Sequence, residues 1–152
     1  MPLQLQSTIT SGGKLNIELA DMPMPEPKDN EVVVRIEATP INPSDLGLLF
    51  GMADMATAKV SGTVQRPVVT ANVPQGLMKA MAGRLDQNLP VGNEGAGVVV
   101  ATGESDEARA LMDKTVAVIG GAMYGQFRAV RTNQCLEYPG DVTSAEIGRA
   151  HV

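Results

Sequence analysis

Two short polar turns carry most of the chemistry that this sequence offers. Asn42-Pro43-Ser44-Asp45 follows one apolar run, and Gly92-Asn93-Glu94-Gly95 opens another. Between them they hold a hydroxyl, two amides and two carboxylates. Amide and hydroxyl donors suit the stabilisation of developing negative charge, and a hydroxyl can pass a proton. Each turn also has a purely structural reading: Asn42 or Ser44 caps a helical turn, and Glu94 satisfies buried backbone groups. Gly92, Gly95 and Gly97 let the second turn bend sharply and let another group come close.

The elements that must position these turns are mostly strands. Leu3 to Thr10 alternates apolar and polar, Ser11-Gly12-Gly13 turns, and Lys14 to Ala20 resumes the alternation, which predicts a hairpin. Met22 to Pro27 (MPMPEP) is an extended connector. Glu31 to Ala38 (EVVVRIEA) is a strong strand, and Asn42 with Pro43 starts a helical turn through Phe50. Arg66 to Val73 reads as a strand, and Gln75 to Ala82 as a short helix stopped by Gly83. Val98 to Ala101 is apolar on both faces, as a buried strand is. Glu104 to Met112 is a short surface helix, and Thr115 to Ile119 and Gln126 to Arg131 are strands. The fold class is therefore mostly β with short helices, an irregular antiparallel barrel or sandwich.

Composition narrows the function. In 152 residues, 43% are hydrophobic and 19% charged, so the chain is globular. A formal net charge of -5 without a basic patch argues against nucleic acid as a partner. No apolar run reaches the roughly 18 to 20 residues that span a bilayer, and no signal peptide is evident, so neither a membrane nor export is expected. A single cysteine, Cys135, excludes an internal disulfide and a cysteine-based zinc cluster, and fits a cytoplasmic location.

Three other features read as structural. Gly120 to Gly125 (GGAMYG) has glycines spaced as in a phosphate loop, but QFRAVR after it alternates like a strand. A phosphate loop needs a helix there, so the segment is expected to be a hairpin turn. No GxGxxG motif opens a helix, so the chain has no dinucleotide site of its own. Cys135, with no histidine or basic cluster around it in sequence, is expected to be a packed thiol. The methionines, among them Met22, Met24, Met78 and Met81, are expected to fill core gaps.

The order of the pieces EVVVRIEATPINPSDLGLLFG, LPVGNEGAGVVVATG, KTVAVIGG, YGQFRAV and CLEYPGDVTSAE resembles the N-terminal half of medium-chain dehydrogenases/reductases. It is most similar to the zinc-free quinone oxidoreductase and enoyl-thioester reductase branches. The resemblance covers residues 1–145, apart from an insertion at about 52–88. It implies an incomplete GroES-like barrel carrying the catalytic face, with the Rossmann domain that binds NADPH or NADH absent from this chain. It implies hydride transfer to a quinone, a carbonyl or an α,β-unsaturated carbonyl, a small-molecule substrate, and a homo-oligomer when full length.

The implied catalytic residues are Asn42, Ser44, Asp45, Asn93 and Glu94, with Asn42 and Pro43 next to the nicotinamide. Zinc members carry Cys and His ligands where this chain has Asn42 and Asn93, so no metal is expected. The tyrosine of enoyl reductases has no match at Gly51-Met52-Ala53. A non-catalytic barrel serving as an interaction module, or an inactive fragment, is the alternative.

The tail raises a different question. Ile147 to Val152 (IGRAHV) back-translates to ATC GGA AGA GCA CAC GTC, the start of a widely used sequencing adapter whose next codon in this frame is a stop. Residues 146–152 are therefore expected to be adapter translation, Glu146 in part, which leaves His151 without function. A natural tail with a chance match is the alternative. Genomic DNA of the source is expected not to encode EIGRAHV after Ala145, and finding it there would overturn the expectation.

Overall fold

The computed structural model describes residues 1–138, 140 and 142–149. Ala150 to Val152, with His151, lie outside the described residues. The chain forms two compact units. One comprises Met1–Leu3, Asp21–Pro40 and the chain from Gly92 on; the other comprises Gln4–Ala20 and Ile41–Val91.

The Gln4–Val91 unit holds a five-stranded sheet. β1 (Leu3–Ile9) and β2 (Lys14–Asp21) form the expected hairpin, closed by Thr10 N–H donating to the Lys14 carbonyl at 2.8 Å. β3 (Glu31–Ala38) belongs to the other unit. α1 (Pro43–Phe50) follows, then β4 (Asp54–Gly62), β5 (Pro67–Asn72), a 3₁₀ helix (Gln75–Arg84) and β6 (Leu89–Pro90). The order across the sheet is β4-β5-β2-β1-β6. Alternation puts Ile9, Leu15, Ile17, Ala71 and Val73 on one face as a core, with Leu49, Phe50, Met78 and Met81 packed against it.

The second unit is built on β3, β7 (Glu94–Thr102), β8 (Thr115–Ile119), β9 (Phe127–Arg131) and β10 (Cys135–Glu137), with α2 (Asp106–Ala110) and α3 (Ser144–Arg149). Every pairing is antiparallel, in the order β10-β8-β7-β3-β9. Val32, Val34, Val99, Val116, Val118, Met123 and Val130 form its core. Val32, Val33 and Val34 are all buried, so β3 is covered on both faces. Ser105 caps α2 by accepting from Ala108 N–H at 3.1 Å.

Four expectations need correction. GGAMYG is not a hairpin turn, because β8 and β9 are not neighbours: β7 and β3 lie between them, and the loop crosses over. β4 was not foreseen. Most of its residues are exposed, so no strong apolar alternation marks it. The Gln75 helix is 3₁₀ and runs past Gly83 to Arg84. Met24 is 54% exposed on the proline connector rather than a core filler, and Met112 is 42% exposed.

Among the glycines that leave no room for a side chain are Gly103, against the Lys28 carbonyl, and Gly97 on β7. A Cβ built there would sit 1.9 Å from the Arg35 carbonyl oxygen, where the β3–β7 register shifts. Gly47 on α1 has no atom within 4 Å of the same position. Gly97→Ala is expected to destabilise the protein by on the order of 3 kcal/mol or more. Gly47→Ala is expected to stabilise it by about 0.5–1 kcal/mol. Thermal or urea unfolding of the two variants checks both signs.

Candidate functional site

In the Gln4–Val91 unit, the first polar turn is the start of α1. Asn42 is the cap residue in extended conformation (φ -92°, ψ 153°), and Pro43 sets the first helical φ. Asp45 closes the turn. The Asn42 N–H donates to Asp45 Oδ2 at 2.9 Å, and the Asp45 N–H donates to the Asn42 carbonyl at 3.0 Å. Asp45 is 1% exposed. Its carboxylate is thus held against the backbone, which suits an orienting role rather than that of a free base. Pro43 and Ser44 are exposed beside it, and Asn42 is half-buried. The structure brings these four residues together.

In the other unit, Asn93 is exposed and Glu94, half-buried, begins β7. The glycine loop that crosses from β8 to β9 clamps this turn. Gly120 and Gly121 N–H groups donate to the Asn93 carbonyl at 3.1 and 3.3 Å, and the Met123 N–H donates to the Gly92 carbonyl at 3.1 Å. Gly92 has φ +99°, and a Cβ there would lie 2.6 Å from Tyr124 Cδ1. Tyr124 Oη donates to the Pro40 carbonyl at 3.1 Å, two residues before Asn42. The loop read as a turn from sequence is therefore the support of the Gly92–Asn93 bend. Tyr124 went unremarked in the sequence; an aromatic between glycines was its signal.

Glu94 lines a cavity of about 370 Å³ together with Ile119, Gln134, Cys135, Tyr138 and Ile147. The two polar turns fall in separate units, Asn42 to Asp45 in one and Asn93 with Glu94 in the other. Among the described residues, no group of three His, Cys, Asp or Glu side chains is placed to hold a metal ion. No helix of the described residues is long and apolar enough to cross a membrane.

No family model matches the chain. It is 28% identical to the chloroplast envelope quinone oxidoreductase homolog of Arabidopsis thaliana over 145 residues, 93% of this chain and 36% of that protein. Its fold is similar to that of JamJ enoyl reductase (TM-score 0.60, 22% identity, 95% of this chain and 37% of that one). It is also similar to mycobacterial Rv1454c complexed with NADPH (TM-score 0.59, 18% identity, 95% of this chain and 34% of that one). A 34-residue stretch is also 56% identical to a zinc-type alcohol dehydrogenase-like protein of Schizosaccharomyces pombe. Relatives in sequence and in fold thus include quinone oxidoreductases and enoyl reductases of the medium-chain type, as the motif order resembles. The chain spans little more than a third of their length.

Cys135 packs against the core of its unit, and its Sγ donates to the Arg131 carbonyl at 3.6 Å. Burial pushes its thiol up to about 11. The folded thiol therefore stays protonated until pH rises toward that value, with about 0.1% thiolate near pH 8. Reaction with a disulfide reagent at that pH is expected to be at least about tenfold slower than for a free cysteine. Equal rates would overturn the packed-thiol assignment.

Proposed function

We propose that residues 1–145 are the N-terminal, GroES-like catalytic domain of a longer zinc-independent oxidoreductase using NADPH or NADH. The observation that carries this reading is the alignment of 93% of the chain with a quinone oxidoreductase homolog. The substrate is a quinone, a carbonyl or an α,β-unsaturated carbonyl. Residues 146–152 are proposed to be foreign to it, with α3 beginning natively at Ser144.

The chain suits one end of a dinucleotide only. Its glycine loop leads into β9 rather than into a helix, so it gives pyrophosphate no helix N-terminus to rest on. Asn42 and Pro43, at the first turn of α1, are the residues proposed to lie beside the nicotinamide. When bound, that ring supplies a hydride.

Each polar turn is proposed as a source of catalytic groups, one in each unit. Asn42 and Asn93 are each proposed as amide donors to negative charge that builds on a bound oxygen, in place of a metal. The exposed Ser44 hydroxyl passes a proton, directly or through water. Asp45 fixes the first turn through the Asn42 N–H, so that the amide and the hydroxyl stay in register. Glu94 orients its own turn at the start of β7.

In the longer protein, assayed with NADPH and a quinone, Asn42→Ala and Ser44→Ala are each expected to lower kcat by about 10²-fold. Unchanged turnover in both variants would remove these residues from the mechanism.

A further inference from the structure

Arg84 ends the 3₁₀ helix within the unit that contains α1. Its Nη2 donates to Ser7 Oγ at 3.1 Å, and Ser7 Oγ donates to the Leu49 carbonyl in the last turn of α1 at 2.7 Å. Nη1 lies over Gly51, where a Cβ would be 3.3 Å from it. The same point is 3.3 Å from Met81 Sδ and 3.4 Å from Ile9 Cδ1. The guanidinium thus rests on an apolar bed at the C-terminal end of α1.

What it lacks is a counter-charge. Among the described residues Arg84 forms no ion pair, and its buried Nε has no acceptor. A helix C-terminus offers about half an elementary charge at most, and Ser7 offers one neutral oxygen. Burial pulls Arg84 below the ordinary guanidinium value, the direction expected of an uncompensated cation. A guanidinium carries five donors in a fork that matches a carboxylate, and one is in use here.

We propose that Arg84, with the half-buried Met81 beside it, is a binding site for a carboxylate attached to an apolar chain. α1 rises about 12 Å over its eight residues. Asn42 and Ser44 stand at its other end. Resting on the reading of that turn as the reacting end, the substrate is an elongated unsaturated or oxo acid. Its acid group is held about two helical turns from the bond that is reduced.

The test needs no cofactor and no turnover. The 152-residue chain is titrated with hexanoate, with the isosteric neutral hexanamide and with inorganic phosphate, following the Gly51 and Met81 amides and the Arg84 Nε–H by NMR. Hexanoate is expected to shift these signals to saturation, with hexanamide and phosphate each at least tenfold weaker. Arg84→Gln is expected to weaken hexanoate at least tenfold, and Arg84→Lys to restore part of it.

Equal binding of acid and amide overturns the proposal, and so does tighter binding of phosphate. Unchanged hexanoate affinity in a folded Arg84→Gln overturns it too, leaving Arg84 a clamp on the end of α1. If that variant does not fold, the three ligands on the unaltered chain decide. A longer protein that binds hexanoate yet reduces neither a quinone nor an unsaturated or oxo acid with NADPH or NADH would sink the oxidoreductase reading and leave the binding site standing. One that reduces a quinone but no such acid would overturn the assignment of the substrate.

Discussion

The unit that carries Glu94 depends on how closely β3 and β7 can approach. At Gly97 the backbones are so near that the Arg35 carbonyl occupies the space where any side chain would begin. That contact lies beside the second of two register shifts along β3, where Gly97 faces Ile36, and Val32, Val33 and Val34 stay buried. A bulged, strongly twisted pair bends the sheet and re-aims the residues at its end. Glu94 and Asn93 stand at that end. Their bend is fixed from the other side by the amides of Gly120 and Gly121. Backbone amides of the crossing loop thus hold the polar turn through the Asn93 carbonyl.

The first turn is held in a different manner. It uses a short helix whose opening turn is closed by Asp45 and Pro43. A rigid start to α1 fixes the direction of Asn42 and Ser44, and the far end of the same helix meets Ser7 and Arg84. One eight-residue element therefore joins the proposed reacting turn and the proposed carboxylate site along a single axis. JamJ enoyl reductase is similar to this chain in fold, and a quinone oxidoreductase homolog is similar in sequence.

Much of the fold was legible because burial writes itself into alternation. β1, β2, β3, β8 and β9 all lie within a residue or so of where the apolar pattern ends. The cap at Asn42 was legible because Asn, Pro and Asp each fit one position of a helix start. β4 was not, since a strand exposed along most of its length has no inward face to mark. The course of GGAMYG was not legible either. Local composition identifies a bend, but the strands it skips are chosen by long-range pairing. Arg84 escaped notice for a related reason: a missing counter-charge is a property of three-dimensional surroundings, and an isolated arginine in sequence looks like any other.

The chain passes between its two units four times, at Leu3/Gln4, Ala20/Asp21, Pro40/Ile41 and Val91/Gly92. Neither unit can therefore be excised as a single stretch of polypeptide. During synthesis the Gln4–Val91 unit is complete before any partner of β3 leaves the ribosome, since β7 begins at Glu94 and β9 at Phe127. The valine-rich β3 must wait, unpaired, through more than fifty residues of growing chain. Long-range pairing of this kind is slow and leaves an adhesive edge open. Nascent-chain chaperones would meet this protein at β3 first.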